Sequence, residues 1–307
     1  MRNKACKGGN PVPEDNQENL SMKKVDLHLH SYFSDGTFSP EEIFSRAKSL
    51  GISGISITDH DRVRAAYEGE KLSSKYGIEF VPGTELTTMY KGGEVHILGY
   101  YYDPYADGLR RFFAEIDRGR AVGIRSMLDK LGRLGFHLTF EDVLAQSVSD
   151  YVGRPHIAKA LVAKGYISSV QEAFTEEYIG NEGKCYSPIS SLSPRDAIEK
   201  ILEFDGIPVI AHPGSFKPGR DITEDEIKEF KGFGLMGVEV LQSRHTIEQT
   251  RKFIDIATRL ELLTTGGSDC HGNYYPRVLM GTVDVPYECL EKLRSKKLEL
   301  LEKGFGL

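Results

Sequence analysis

Apolar and polar positions alternate along KVDLHLH, residues 24–30: Val25, Leu27 and Leu29 share one parity, Asp26, His28 and His30 the other. In a strand every second side chain points the same way, so the pattern predicts a β-strand carrying both imidazoles on one face. Asp35-Gly36 just beyond is a turn signal. Ser39-Pro40-Glu41-Glu42 predicts a helix start with proline at its first position. Similar apolar segments recur as GISGISITDHD (51–61), IEFVPGTELTT (78–88), GEVHILGYYY (93–102), GIPVIAHPG (206–214), LMGVEVLQS (235–243) and LELLTTGGSDCHG (260–272). Helical patterns fill 62–76, 194–204, 223–232 and 246–259. Strand–helix alternation predicts a parallel sheet with crossover helices. Seven such units fit a barrel-like α/β fold.

Residues 104–190 break this rhythm. A long amphipathic helix is expected over PYADGLRRFFAEIDRGRAVGIRSMLDKLGRLG, then short helices over TFEDVLAQS, with Thr139 as its N-cap, RPHIAKALVAKG and SVQEAFTEEYIG. The expected organisation is a discontinuous barrel domain, 23–103 and 191–307, with a helical lid, 104–190, inserted over its mouth. Residues 1–22 have no apolar core of a signal peptide. They are expected to be a disordered leader, or to precede a start at Met22.

The chemistry collects at strand ends. In chain order these hold His28 and His30 with Asp35 beyond, then His60, Glu85, His96, His212, and Asp269 with His271. Six of the nine histidines fall there. In parallel barrels the C-terminal strand ends converge on one site. Nine ligands are too many for one four-coordinate ion and suit two or three, with one carboxylate bridging. Mixed imidazole and carboxylate donors fit Mn, Fe or Zn. Cys270, between two of these residues, would face away and pack. His137 and His245 are read as ordinary structural histidines.

Bulk properties narrow the classes. A net charge of −6 argues against a protein that coats nucleic acid, and no duplex DNA binding is expected. The four scattered cysteines contain no C-x-x-C pair, which reads as free thiols in a reducing, cytoplasmic compartment. No apolar run is long enough to span a membrane. Nothing implies an obligate protein partner.

DLHLHSYFSDG, ITDHD, GTE, VHILGY, AHP and GSDCHG, in this order, resemble the motifs of the PHP (polymerase and histidinol phosphatase) family over roughly residues 23–103 and 205–285. The resemblance implies a distorted (β/α)7 TIM-like barrel with a trinuclear metal centre, manganese being the expected ion. By it, His28, His30, Glu85 and Asp269 would hold one ion. Glu85, His96 and His212 would hold a second, and Asp35, His60 and His271 a third. RGRA (118–121) and GRPHIAKAL (153–161) are similar to a narrower subgroup acting on nucleoside 3',5'-bisphosphates and on 5' ends of short RNA.

Clustered cations generate hydroxide from water and offset phosphoryl charge. The implied reaction is therefore attack of a metal-bridging hydroxide on the phosphorus of a small phosphorylated substrate. Asp35 or His271 would assist proton transfer to the leaving oxygen. Arg110, Arg111, Arg118, Arg120, Arg125, Lys130 and Arg133 make the insertion basic against Glu115, Asp117 and Asp129. Arginine forks grip phosphate, so a second, uncleaved phosphate could be held there. Arg118, Arg120, Arg154, His156 and Lys184 are the substrate-binding candidates, with Tyr186, Lys217 and Arg220 behind them. Rival readings are a monoesterase of the histidinol phosphatase type, a non-catalytic metal-binding module and a general amidohydrolase. The ligand order argues against the last.

Overall fold

The structure, a computed structural model, describes residues 23–214, 221–274 and 277–304. The expected leader, Lys217 and Arg220 lie outside the described residues. Strands β1 (Lys24–Leu29), β2 (Ile52–Ile57), β3 (Glu79–Tyr90), β4 (Gly93–Tyr100), β5 (Ile207–Ile210), β6 (Gly237–Gln242) and β7 (Leu263–Gly267) lie side by side in chain order, with the two-residue β8 (Val285–Pro286) beyond β1. The helices are α1 (Pro40–Ser49), α2 (Arg64–Tyr76), α3 (Leu109–Arg133), α4 (Phe140–Leu144), α5 (Arg154–Ala163), α6 (Pro194–Glu203), α7 (Glu224–Gly232), α8 (Ile247–Arg259) and α9 (Glu288–Glu302). Ser39, Ser193, Thr223 and Thr246 start α1, α6, α7 and α8 with reciprocal capping boxes. Each satisfies amide groups that a helix otherwise leaves unpaired.

The sheet is not wholly parallel as the alternation predicts. β1–β2, β2–β3, β5–β6 and β6–β7 are parallel pairs, but β4 runs antiparallel to both β3 and β5. No crossover helix separates β3 from β4. Lys91 and Gly92, at φ 48° and 83°, turn the chain instead, and two successive positive φ values suit a tight hairpin.

β7 and β1 nearly close the barrel. Asp269 N donates to His28 O at 2.9 Å and His30 N to Cys270 O at 3.0 Å. Lower down, the Asp26 carboxylate accepts from Ser268 N at 2.8 Å, in place of a ladder bond. Gly267 permits the approach, because a Cβ there would overlap the His28 backbone.

Two of the apolar clusters divide the inserted segment between them. Ile124, Met127, Val143, Ile157, Ile179 and Ile189 belong to a cluster built entirely from residues 124–189. The first turns of α3 belong elsewhere: Leu109, Phe112, Phe113 and Ile116 pack with Ile198, Ile201 and Phe204 against the barrel. One helix is therefore shared between the barrel and the inserted segment.

Candidate metal centre

The nine side chains singled out in the sequence meet at one end of the barrel. His28 lies within β1 and His30 one residue past it. His60, His212, Asp269 and His271 follow the ends of β2, β5 and β7, and Asp35 sits in the loop after β1. Glu85 comes from mid-β3. His96 also lies mid-strand, on the reversed β4 and paired in register with Thr87, so it is not at a strand end. Gly36 keeps the Asp35 loop tight, since a Cβ there would overlap the His30 carbonyl oxygen.

Glu85 is the hub. Its Oε2 lies 3.2 Å from His28 Nε2, 3.2 Å from His30 Nε2 and 3.1 Å from His60 Nδ1. Its Oε1 lies 2.9 Å from both His96 Nδ1 and His212 Nε2. The two oxygens of one buried carboxylate thus face two sets of imidazoles. Four groups of potential ligands result, each with its atoms within 4.8 Å of one another: His30, Asp35, His60 and His271; His28, His30 and Asp269; His28, Glu85 and His212; His60, Glu85 and His96.

The donor set fits divalent cations. His28 Nε2 and His30 Nε2 face each other at 3.2 Å. His30 Nδ1 and His96 Nε2 are buried without a hydrogen-bond partner. Buried polar atoms are normally satisfied, and hard carboxylate and imidazole donors crowded without thiolate suit Mn, Fe or Zn.

Electrostatics points the same way. Burial raises the carboxyl pKa of Glu85, Asp35 and Asp269, yet neighbouring charges hold all three well below the usual range: His60 and His28 first for Glu85, His271 and His60 for Asp35, Arg244 and His28 for Asp269. Burial likewise opposes charge on the imidazoles. The carboxylates outweigh it at His28, raised well above its ordinary value, at His30, raised to about 9, and at His96, raised to about 10. At His60 burial wins and the pKa falls to about 3.

The sequence reading missed the residues that orient this cluster. Glu239, fully buried in β6, accepts from His28 Nδ1 at 2.9 Å and from His212 N at 2.7 Å. Asp59 accepts from Ser31 N, Ser31 Oγ and Ser34 Oγ, each at 2.7 Å, and so secures the loop carrying Asp35. A lone acid within the apolar run LMGVEVLQS was the available signal, because a buried charge needs partners. Glu239→Gln offers one acceptor oxygen to two donors and turns an NH2 group on the other. It is expected to weaken metal affinity or activity by roughly 10–100-fold, the usual cost of losing a ligand's orienting partner. Wild-type metal content and turnover in this variant would remove Glu239 from that role.

Above the cluster is a cavity of ≈ 390 Å³ whose lining includes Arg154, Phe174, Arg244 and Tyr274. Of the substrate-binding candidates among the described residues, Arg154 alone lines it. Its guanidinium donates to Glu94 Oε2 at 2.5 Å and Asn181 Oδ1 at 2.6 Å, and lies 5.4 Å from the Tyr186 ring centroid. Burial raises the Glu94 pKa, but Arg154 overrides it and brings it to about 2. The other four point elsewhere. His156 is buried and its Nδ1 caps α5 by accepting from Gly153 N at 3.2 Å; burial lowers its pKa to about 4. Lys184 is exposed beside Glu177 at 2.6 Å, and Arg118 is exposed 3.9 Å from Glu115. Arg120 is buried against Asp61 and Tyr151. Positions two apart on a helix stand about 200° apart, so Arg118 and Arg120 cannot share a face. Arg244, passed over in the sequence, lines the cavity with Nη1 3.5 Å from Asp269 Oδ2. Cys270 packs in the apolar cluster containing Leu29, Ile43 and Phe44.

Comparison with known proteins agrees with this geometry. Residues 26–107 match the PHP domain. A 3',5'-nucleoside bisphosphate phosphatase from Chromobacterium violaceum is 31% identical over 91% of this chain and 99% of its own. A 5'-3' exoribonuclease from Haemophilus influenzae is 31% identical over 81% of this chain and 90% of its own. A phosphoribosyl 1,2-cyclic phosphate 1,2-diphosphodiesterase from Eggerthella lenta is 28% identical over 81% and 94%. A structure from Bifidobacterium adolescentis, described as that of a metal-dependent phosphoesterase, superposes with a TM-score of 0.80 at 32% identity, covering 89% of this chain and 96% of that one. The ordered motifs, the nearly closed barrel and the near-complete match to the phosphatase leave one assignment: the chain belongs to the PHP family of metal-dependent phosphoesterases and is a hydrolase of phosphate esters.

Proposed function

We propose that this enzyme removes a phosphate from nucleoside 3',5'-bisphosphates, and that 5'-phosphorylated short RNA is a related substrate. The supporting observation is the cavity: a floor of metal-competent side chains, with the Arg154 guanidinium and the Phe174 and Tyr274 rings among its walls. A phosphate at the floor and a second at Arg154 would use both, whereas a plain monoester would leave the arginine idle.

The nine clustered side chains, six of which line the cavity, would hold two or three divalent cations, manganese foremost. Such cations lower the pKa of water towards 7 and offset charge on phosphoryl oxygens. Glu85, with one oxygen towards each set of imidazoles, is the residue suited to bridge. The Asp269 carbonyl can only accept, so His271 Nδ1, 3.0 Å from it, carries the hydrogen and leaves Nε2 facing Asp35 Oδ1 at 3.3 Å. We assign Asp35 and His271, which both line the cavity, to proton transfer at the leaving oxygen. Arg154 is pre-oriented by Glu94 and Asn181, so an incoming phosphate would meet a fixed fork rather than a mobile one.

Phosphate release by the Mn-loaded enzyme from adenosine 3',5'-bisphosphate, AMP, histidinol phosphate and a 5'-phosphorylated dinucleotide tests this. The bisphosphate should exceed AMP in kcat/KM. Arg154→Ala should lose roughly 10–100-fold on it, the range for a hydrogen bond to a charged group, while AMP changes little. Equal turnover of all monoesters, indifferent to Arg154, would leave a general phosphatase and overturn the nucleotide reading.

A further inference from the structure

Arg120 is buried, 2% exposed, and is not among the residues that line the cavity. Its Nη2 is paired with the Asp61 carboxylate and its Nη1 donates to Tyr151 Oη at 3.1 Å. The guanidinium lies 4.7 Å from the Tyr151 ring centroid. Arg120 and Tyr151 belong to the inserted segment; Asp61 belongs to the barrel, directly after His60.

Asp61 is itself closely held. It is one of the few non-glycine residues at positive φ, 49°, a conformation that persists only where surroundings enforce it. Its carboxylate accepts from Thr87 N at 3.0 Å and Thr87 Oγ1 at 2.9 Å. Its backbone N donates to Glu85 O at 2.9 Å, and His60 and Glu85 form a parallel bridge. Thr87 is in turn the register partner of His96. His60, Glu85 and His96 are one of the potential ligand groups, and all three connect to Asp61 by one or two bonded steps. A neighbouring contact repeats the connection with reversed charges: Arg62 of the barrel pairs with Asp117 of α3 and lies 5.2 Å from the same Tyr151 ring.

We propose that Arg120 is a positioning residue for the metal centre, acting from the inserted segment through Asp61 to fix His60, Glu85 and His96. The proposal rests on the metal-centre reading. It makes the insertion part of the scaffold of the ligands and not only a cover. A buried pair that loses one partner leaves the other charge uncompensated. The Asp61 loop would then relax from its strained conformation and carry His60 with it.

The test is Mn²⁺ binding to the full chain, with free ion measured by electron paramagnetic resonance and bound metal per chain by elemental analysis. Arg120→Met keeps the length and removes the charge. It should lose one Mn²⁺ equivalent or bind it about 10-fold or more weakly, in line with the loss of a ligand's supporting partner, while the remaining equivalents bind as in wild type. Asp61→Asn should do the same, and the double variant should be no worse than the worse single. Asp117→Asn breaks the neighbouring pair without touching Asp61 and should leave Mn²⁺ binding unchanged. Should Arg120→Met fail to fold, Tyr151→Phe, which removes only the hydroxyl that Arg120 uses, should show the same selective weakening. Wild-type stoichiometry and affinity in folded Arg120→Met, or an equal loss in Asp117→Asn, would overturn the proposal and leave the metal-centre reading intact. Absence of Mn²⁺ binding by the wild-type chain would sink both.

Discussion

Glu85→Gln is expected to lower kcat by about 1,000-fold or more and to strip metal from the protein. The side chain keeps its shape, so packing is nearly unchanged. What it loses is its charge and one of two acceptor oxygens, of which Oε2 lies 3.2 Å from His28 Nε2 and Oε1 2.9 Å from His96 Nδ1 and His212 Nε2. The new NH2 group must face one of those sets and cannot ligate. Metal activation supplies several kcal/mol of transition-state stabilisation, and about 4 kcal/mol corresponds to roughly 1,000-fold in rate. Turnover at saturating Mn²⁺, with metal content measured on the same sample, checks this. A variant within tenfold of wild type and fully loaded would mean that Glu85 is not the bridge.

Saturating Mn²⁺ is expected to raise Tm by roughly 8 °C or more at pH 8. A ligand present at about 1,000 times its Kd stabilises by about 4 kcal/mol, and a chain of this size shifts a few degrees per kcal/mol. The effect should depend on pH with a definite sign. Without metal, His30 and His96 have pKa values raised to about 9 and about 10 by the surrounding carboxylates, which overcome burial. Groups with raised folded-state pKa values stabilise fully below their unfolded value, near 6.5, and lose that contribution as pH rises through the folded value. The metal-free protein should therefore weaken from about pH 6.5 towards 10. Metal must displace those same protons, so the Mn²⁺-induced increment should grow over that window. Thermal scans with and without Mn²⁺ at pH 6, 7.5 and 9 measure it. An increment that shrinks with rising pH would contradict the assignment of these histidines.

The metal-competent residues were legible because each stands beside a local signal: alternation for His28 and His30, a strand-to-loop change for His60, His212 and Asp269. Strand direction was not legible. GEVHILGY has the same alternation whichever way it runs, and the evidence for reversal lay in the Lys91-Gly92 turn. Glu239 went unnoticed because its partners, His28 and His212, are distant in sequence. The arginines of the insertion show a different limit. Composition places Arg118 and Arg120 together as basic, whereas the helix sends one to solvent and the other into a buried pair with Asp61. Which face meets the barrel depends on how α3 docks, and that is set by Leu109, Phe112 and Ile116 packing on a core drawn largely from residues 197–262.

The insertion also sets a timetable for synthesis. β4 and β5 pair through Ile97 and Ile210, so about 110 residues must leave the ribosome after one strand before its neighbour exists. At about 5–20 residues per second the first four strands wait roughly 6–20 s as an open sheet with unpaired edges at β1 and β4. Such edges invite pairing with other chains. The cluster spanning residues 124–189 is assembled from segments close in sequence, and local contacts form fastest. It can condense during the delay and bring the start of α3 down beside β4 before the second half of the barrel arrives. In a nascent chain, the inserted segment would serve first as the guard of the unfinished sheet.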